Sequence, residues 1–130
     1  MKWKLFATAF FGFICWVIYL ADSGKENIFL VIVHAIPYGD KVGHAVLYGL
    51  LAFLMNMAFN MKSMPPLKVK PFRNVILPMG AVLVFLFAFL EELTQMYFPN
   101  RTFDGGDLIA DFVGITLFSW FSVKVHTAQP

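Results

Sequence analysis

Apolar residues in this chain gather into four long blocks, at 5–21, 42–61, 75–98 and 108–123, parted by short polar segments. The first holds no charged residue between Lys4 and Asp22. The second is broken only by His44, Asn56 and Asn60, and the fourth carries a single acid, Asp111. The third stays apolar to Leu90 and then continues through Glu91, Glu92 and Gln95 to Phe98. A bilayer core is about 30 Å thick and a helix rises about 1.5 Å per residue, so each block is long enough to cross. The pattern predicts an all-α membrane protein: a single domain over 1–130 built as a four-transmembrane-helix bundle. A fifth apolar run, 28–36, is too short to span, and Pro37 and Gly39 part it from the second block. An interfacial or re-entrant segment is expected there.

The first block differs from a cleavable signal peptide. Its apolar stretch exceeds the usual 7–15 residues, and Tyr19-Leu20-Ala21 lacks the small residue that a cleavage point needs three places upstream. Ile14 before Cys15 also departs from a lipoprotein site, so Cys15 reads as a packing residue in an uncleaved anchor helix. Orientation follows from the basic residues of the short loops. Lys2, Lys4, Lys62, Lys68, Lys70, Arg73 and Lys124 fall on one side, and Lys25, Lys41 and Arg101 on the other. Both termini are therefore expected in the cytoplasm.

Composition agrees and narrows the function. Only 14% of residues are charged against 59% hydrophobic, whereas a soluble domain carries about 25% charged residues to cover its surface. One cysteine argues against a disulfide-stapled domain, and a net charge of +2 without a basic run argues against a nucleic-acid partner. The acids are placed less evenly than the bases. Asp22, Glu26, Asp40, Glu91, Glu92, Asp104, Asp107 and Asp111 all fall outside or in the outer half of a span. Positive-inside sorting does not require this, because acids contribute little to topology.

Spacing gathers the polar residues onto shared helix faces. Asp40, Lys41, His44 and Tyr48 open the second span in steps of one, three and four. Glu91 and Glu92 lie four and three residues before Gln95, and Asp104, Asp107 and Asp111 step by three and four into the fourth span. Side chains three or four apart are neighbours on a helix. Ionisable groups at that depth are costly against lipid, so they are expected to face one another in the bundle. Five carboxylates (Glu91, Glu92, Asp104, Asp107, Asp111) exceed the countercharges Lys41, Arg101 and His44. That imbalance calls for protonation or a bound cation.

Structural roles compete for the same residues. Asp104 or Asp107 can cap the fourth helix, Arg101 can pair with Glu92 at the rim, and Gly114 can mark a close helix contact. Asn56 and Asn60 read as interhelical hydrogen-bond donors at the cytoplasmic end, and His34 as an interfacial residue.

The ordered set Asp40-Lys41-x-x-His44 with Tyr48, Glu91-Glu92-x-x-Gln95, Pro99-x-Arg101, Asp107 and Asp111-x-x-Gly114 resembles the VanZ-like family of small bacterial membrane proteins. The resemblance covers residues 40 to about 115. It implies four membrane helices with these polar residues at one end, and a cell-envelope setting, since the family is named for a member that raises teicoplanin resistance. This chain departs from the pattern at Asp111, where the family generally has Asn, and at Ala45, where an aromatic often follows the histidine. Resistance itself belongs to one branch and is not implied here.

Three functions fit these residues. The first is an outer-leaflet cleft that binds or moves a lipid or a lipid-linked envelope precursor. In it Asp40, Lys41, Tyr48, Gln95, Arg101, Asp104, Asp107 and Asp111 would hold the ligand, with Lys41 and Arg101 toward phosphate. The second is a membrane enzyme acting on such a lipid or a peptide, with Glu91 or Glu92 as general base and His44 as acid or as a ligand beside the carboxylates. The third is a non-catalytic accessory subunit whose polar cluster clamps the bundle; four short helices also suit an oligomer. No cofactor is expected. His44 alone makes zinc a poor fit, and a divalent cation such as magnesium or calcium on the carboxylates suits the pattern better.

Overall fold

The computed structural model describes residues 2–24, 28–65, 77–99 and 103–128. Each apolar block forms a helix because a chain in lipid must satisfy its backbone groups internally. α1 spans Lys2–Asp22. α3 (Gly39–Ala58), α4 (Met79–Thr94, prolonged by a 3-10 turn over Gln95–Tyr97) and α5 (Gly105–Ala128) follow. Four segments, Lys2–Asp22, Gly39–Ala58, Met79–Tyr97 and Gly105–Ala128, are long and apolar enough to cross a membrane.

The 28–36 run becomes α2, a helix of 8 residues over Ile28–Ala35 that packs on α3. At about 1.5 Å per residue it is far too short to span. A tight corner joins the two helices: the Gly39 amide donates to the Ile36 carbonyl at 2.8 Å, and Tyr38 takes a left-handed conformation with φ 56. A Cβ on Gly39 would collide with the Val33 carbonyl oxygen. That close approach explains why α3 starts before the apolar block, at a glycine.

The other helix ends also depart from the hydropathy pattern for backbone reasons. α3 stops at Ala58, not near 61, because Asn60 and Met61 turn left-handed (φ 53 and 59), and the Met61 amide closes onto the Asn56 carbonyl at 2.8 Å. α4 begins after Pro78, whose lack of an N–H suits a helix start. A short antiparallel bridge, Ser63 to Pro78, ties the two ends together, with the Met79 amide on the Lys62 carbonyl at 2.8 Å. α5 runs on to Ala128, past the last apolar residues of its block.

α3 is the central element and packs against α1, α2, α4 and α5. Its long neighbours run antiparallel to it. Trp3 near the start of α1 and Phe121 near the end of α5 both meet Phe53 late in α3, with ring centroids 5.8 and 5.7 Å apart. Ile14, Tyr48, Leu51, Ala52, Val84, Ala88 and Ile115 form the core. Large apolar side chains such as Trp16, Leu86, Ile109, Leu117 and Trp120 point outward, as a lipid-facing surface requires. Small residues let the helices touch. A Cβ on Gly114 would strike the Ala45 backbone, and one on Gly49 would lie 2.7 Å from the Gly114 carbonyl oxygen. α3 and α5 thus cross backbone to backbone.

Away from the polar residues at the start of α3, the bundle is locked by Asn56. This fully buried side chain donates from Nδ2 to Ser119 Oγ at 3.0 Å and Ser122 Oγ at 3.2 Å. Its Oδ1 accepts the Ala81 amide at 2.8 Å, satisfying an otherwise unpaired donor in the first turn of α4. Asn56 is therefore the interhelical donor that its polarity suggests. Asn60 sits instead in the exposed turn after α3.

Candidate functional site

The antiparallel packing brings the start of α3, the end of α4 and the start of α5 to one end of the bundle. Asp104 precedes α5 and caps it: its Oδ1 accepts the Gly106 amide at 2.8 Å, and its carbonyl accepts the Asp107 amide at 3.0 Å. Gly106 leaves room for a lysine, because a Cβ there would lie 2.9 Å from Lys41 Cε. Lys41 Nζ donates to Asp104 Oδ2 at 2.9 Å and to Asp107 Oδ1 at 3.3 Å, and lies 3.7 Å from Asp40. Lys41, and then the Gly106 amide, hold the Asp104 carboxyl below its ordinary pKa of 3.8.

One turn deeper, His44 Nδ1 lies 2.9 Å from Asp111 Oδ1. With Asp111 ionised, and so able only to accept, the proton of this bond sits on Nδ1, and Nε2 presents a lone pair or a second proton. Nε2 faces Asp107 Oδ2 at 3.7 Å, beyond hydrogen-bond length. Asp107 thus divides its oxygens between Lys41 and the histidine. Asp111 is fully buried, and its Oδ2 has no partner among the described residues.

The α4 acids form the floor. Gln95 Nε2 donates to both oxygens of Glu91 and to Glu92 Oε2, each at 3.1 Å. Tyr48 donates a longer bond of 3.4 Å to Glu91 Oε2. Glu92 Oε1 accepts the Asp104 amide at 2.8 Å, which pins the loop before α5 onto the end of α4. Glu91, Glu92, Gln95, Asp107 and Asp111 are all buried, and Glu92 is 0% exposed.

The structure therefore brings together Lys41, His44, Tyr48, Glu91, Glu92, Gln95, Asp104, Asp107 and Asp111. Asp40 stands at the rim, half-exposed beside Lys41. Arg101, expected to face a ligand or Glu92, lies outside the described residues. The Asp104 amide on Glu92 escapes any reading of side-chain types, since a backbone donor leaves no mark on composition. Ser119 and Ser122 escaped too, although two serines three apart in an apolar span are a usable signal.

Beside this cluster a cleft of about 410 Å³ opens between α1 and α4, lined by Cys15, Ile18, Phe87, Leu90, Glu91 and Thr94. Cys15 is an exposed free thiol on its wall. Glu91 belongs to both the cleft and the carboxylate cluster.

Asp111→Asn isolates the charge at the deepest position. The amide oxygen can still accept the His44 Nδ1 proton, while the lone buried oxygen is replaced by an NH2 group. The variant is expected to melt within about 1 kcal/mol of wild type, whereas Asp111→Leu, which strips His44 of its acceptor, is expected to lose about 1–3 kcal/mol. Thermal melts in detergent check both; equal melting of the two variants would show that the His44 bond contributes nothing.

A family model described as VanZ/LLP1 matches residues 8–125. No curated protein and no solved structure gives a significant match. The match covers nearly the whole chain and takes in every residue of the cluster, so the chain belongs to the VanZ-like family of membrane proteins.

Proposed function

We propose that this is a bacterial cell-envelope protein of the cytoplasmic membrane that binds or moves a lipid or lipid-linked envelope precursor at its polar end. In this reading the termini are cytoplasmic, as the loop lysines and arginines suggest, and the cluster faces outward. α2, with Ile28, Val31 and Ile32 exposed, then lies at the outer interface. The observation that carries the reading is the cleft between α1 and α4, an apolar trough with Glu91 on its wall. An acyl or prenyl chain in the trough would leave its headgroup near Glu91, which belongs also to the carboxylate cluster.

The test is binding and transbilayer movement of fluorescent phospholipid and prenyl-phosphate probes by the protein in vesicles. Cys15→Trp should obstruct the trough, while Lys41→Ala and Glu92→Gln should change the headgroup site. Each is expected to weaken binding or flux about tenfold, the equivalent of one charge-assisted contact. Unchanged binding and flux in all three would remove the reading.

The alternative, a membrane enzyme, is favoured by one feature. His44 is held by Asp111 with its second nitrogen turned toward Asp107, an orientation suited to proton transfer. Formation of a new lipid or peptide product by wild type, lost in His44→Gln, would select it. A purely structural clamp would show instead as variants that melt early with no change in binding per folded molecule.

A further inference from the structure

His44, Glu92 and Asp107 offer one nitrogen and two carboxylate oxygens that all lie within 4.8 Å of one another. They come from three different helices, α3, α4 and α5, so no local sequence pattern arranges them. We propose that these three side chains bind a divalent transition-metal ion, with Asp111 as the residue that orients the histidine.

Three independent features support the assignment. The spacing suits ligands: atoms bound about 2.1 Å from an ion lie about 3–4.2 Å apart. His44 Nε2 and Asp107 Oδ2, at 3.7 Å, are too far apart for a hydrogen bond and well placed on either side of an ion. The second feature is the Asp111 to His44 Nδ1 contact of 2.9 Å. Metal-binding imidazoles commonly donate their other N–H to a carboxylate, which fixes the ring and raises its basicity. The third is charge. The ion pairs described for the cluster draw on Lys41 and His44, and Lys41 reaches Asp40, Asp104 and Asp107 but is not paired with Glu92 or Asp111. A divalent ion would supply positive charge between the buried carboxylates of Glu92 and Asp107.

The ligands not engaged by an ion are already satisfied. Asp107 Oδ1 is held by Lys41, and the Glu92 oxygens each accept one donor and keep a lone pair free. The neighbouring trio Asp40, Asp104 and Asp107 is different, because the Lys41 ammonium already occupies the space between those carboxylates. One imidazole beside two carboxylates favours Mn2+ over Mg2+ and Ca2+, which take oxygen alone, and over Zn2+, which usually recruits several His or Cys ligands. The assignment stands without the lipid reading; a bound ion would also offer phosphate a positive partner in a cluster otherwise rich in acids.

The decisive measurement uses the full chain in nanodiscs made only of phosphatidylcholine, stripped with chelator and titrated with Mn2+. Wild type is expected to bind about one Mn2+ per chain, with nitrogen hyperfine coupling from one imidazole in pulsed electron paramagnetic resonance. His44→Ala should lose the coupling and bind at least about tenfold more weakly, and Glu92→Gln should keep the coupling with a similar loss of affinity. No stoichiometric Mn2+ in wild type, or Mn2+ without nitrogen coupling, overturns the proposal and leaves a protonated His44 as the partner of Asp107 and Asp111. The wild-type spectrum decides even if a variant fails to fold. The readout is the bound ion and its nitrogen ligand, not lipid binding or flux, so failure of the lipid reading leaves this result intact.

Discussion

Gly114→Ala is expected to lower stability by about 3 kcal/mol or more. The added carbon would enter the Ala45 backbone on α3, where no rotamer change can make room. Relief requires α5 to move away from α3, the helix with which it shares the most extensive packing. The same motion would pull Asp104, Asp107 and Asp111 from Lys41 and His44, so binding and stability should fall together. Gly12→Ala on α1 is the control. A Cβ there meets nothing within 4 Å, and replacing a mid-helix glycine should stabilise by about 0.5–1 kcal/mol. Thermal or dodecyl-sulfate unfolding of both proteins gives the answer. Opposite signs are expected; equal melting of Gly114→Ala and wild type would mean that the helices do not cross at this point.

Asn56→Leu is expected to cost about 2–4 kcal/mol. Interhelical hydrogen bonds in membranes contribute about 0.6–1.7 kcal/mol each, and two link Asn56 to Ser119 and Ser122. The larger part comes from the Ala81 amide, which loses its acceptor inside an apolar bundle. Gly80 leaves little room for rearrangement, since a Cβ there would already lie 2.6 Å from Asn56 Oδ1. Ser122→Ala removes one spoke of this hub and is expected to cost about 1 kcal/mol. A loss in Asn56→Leu no greater than in Ser122→Ala would refute the hub. Neither residue touches the polar end described above, so lipid or metal binding per folded molecule should stay as in wild type.

Much of this was legible in the residues because of the solvent. Lipid offers the backbone no partners, so apolar length translates directly into helix number, and four blocks give four helices. The ends moved by a few residues where hydropathy is silent: a left-handed turn at Asn60 and Met61 ended α3, and Pro78 delayed α4. At the polar end, the three- and four-residue spacing correctly placed Glu91 with Gln95 and Glu92 with Gln95, because those contacts stay within one helix. The expected bonds of Asn56 were found, those of Asn60 were not, and helix termination separates the two.

What the sequence alone determined is therefore the number of membrane helices, the family, and which side chains are too polar to face lipid. Each depends on one segment at a time, or on the order of segments. Only the tertiary structure decided which acid meets which base: Lys41 with Asp104 and Asp107, His44 with Asp111, and the Asp104 backbone with Glu92. These pairs join residues on different helices, and their distances are set by how closely α3 and α5 approach at Gly49 and Gly114. A periodic pattern specifies the face a residue occupies, but not the rotation and height of the neighbouring helix. Close packing of small residues fixes those two quantities, and with them whether three side chains converge on a single point.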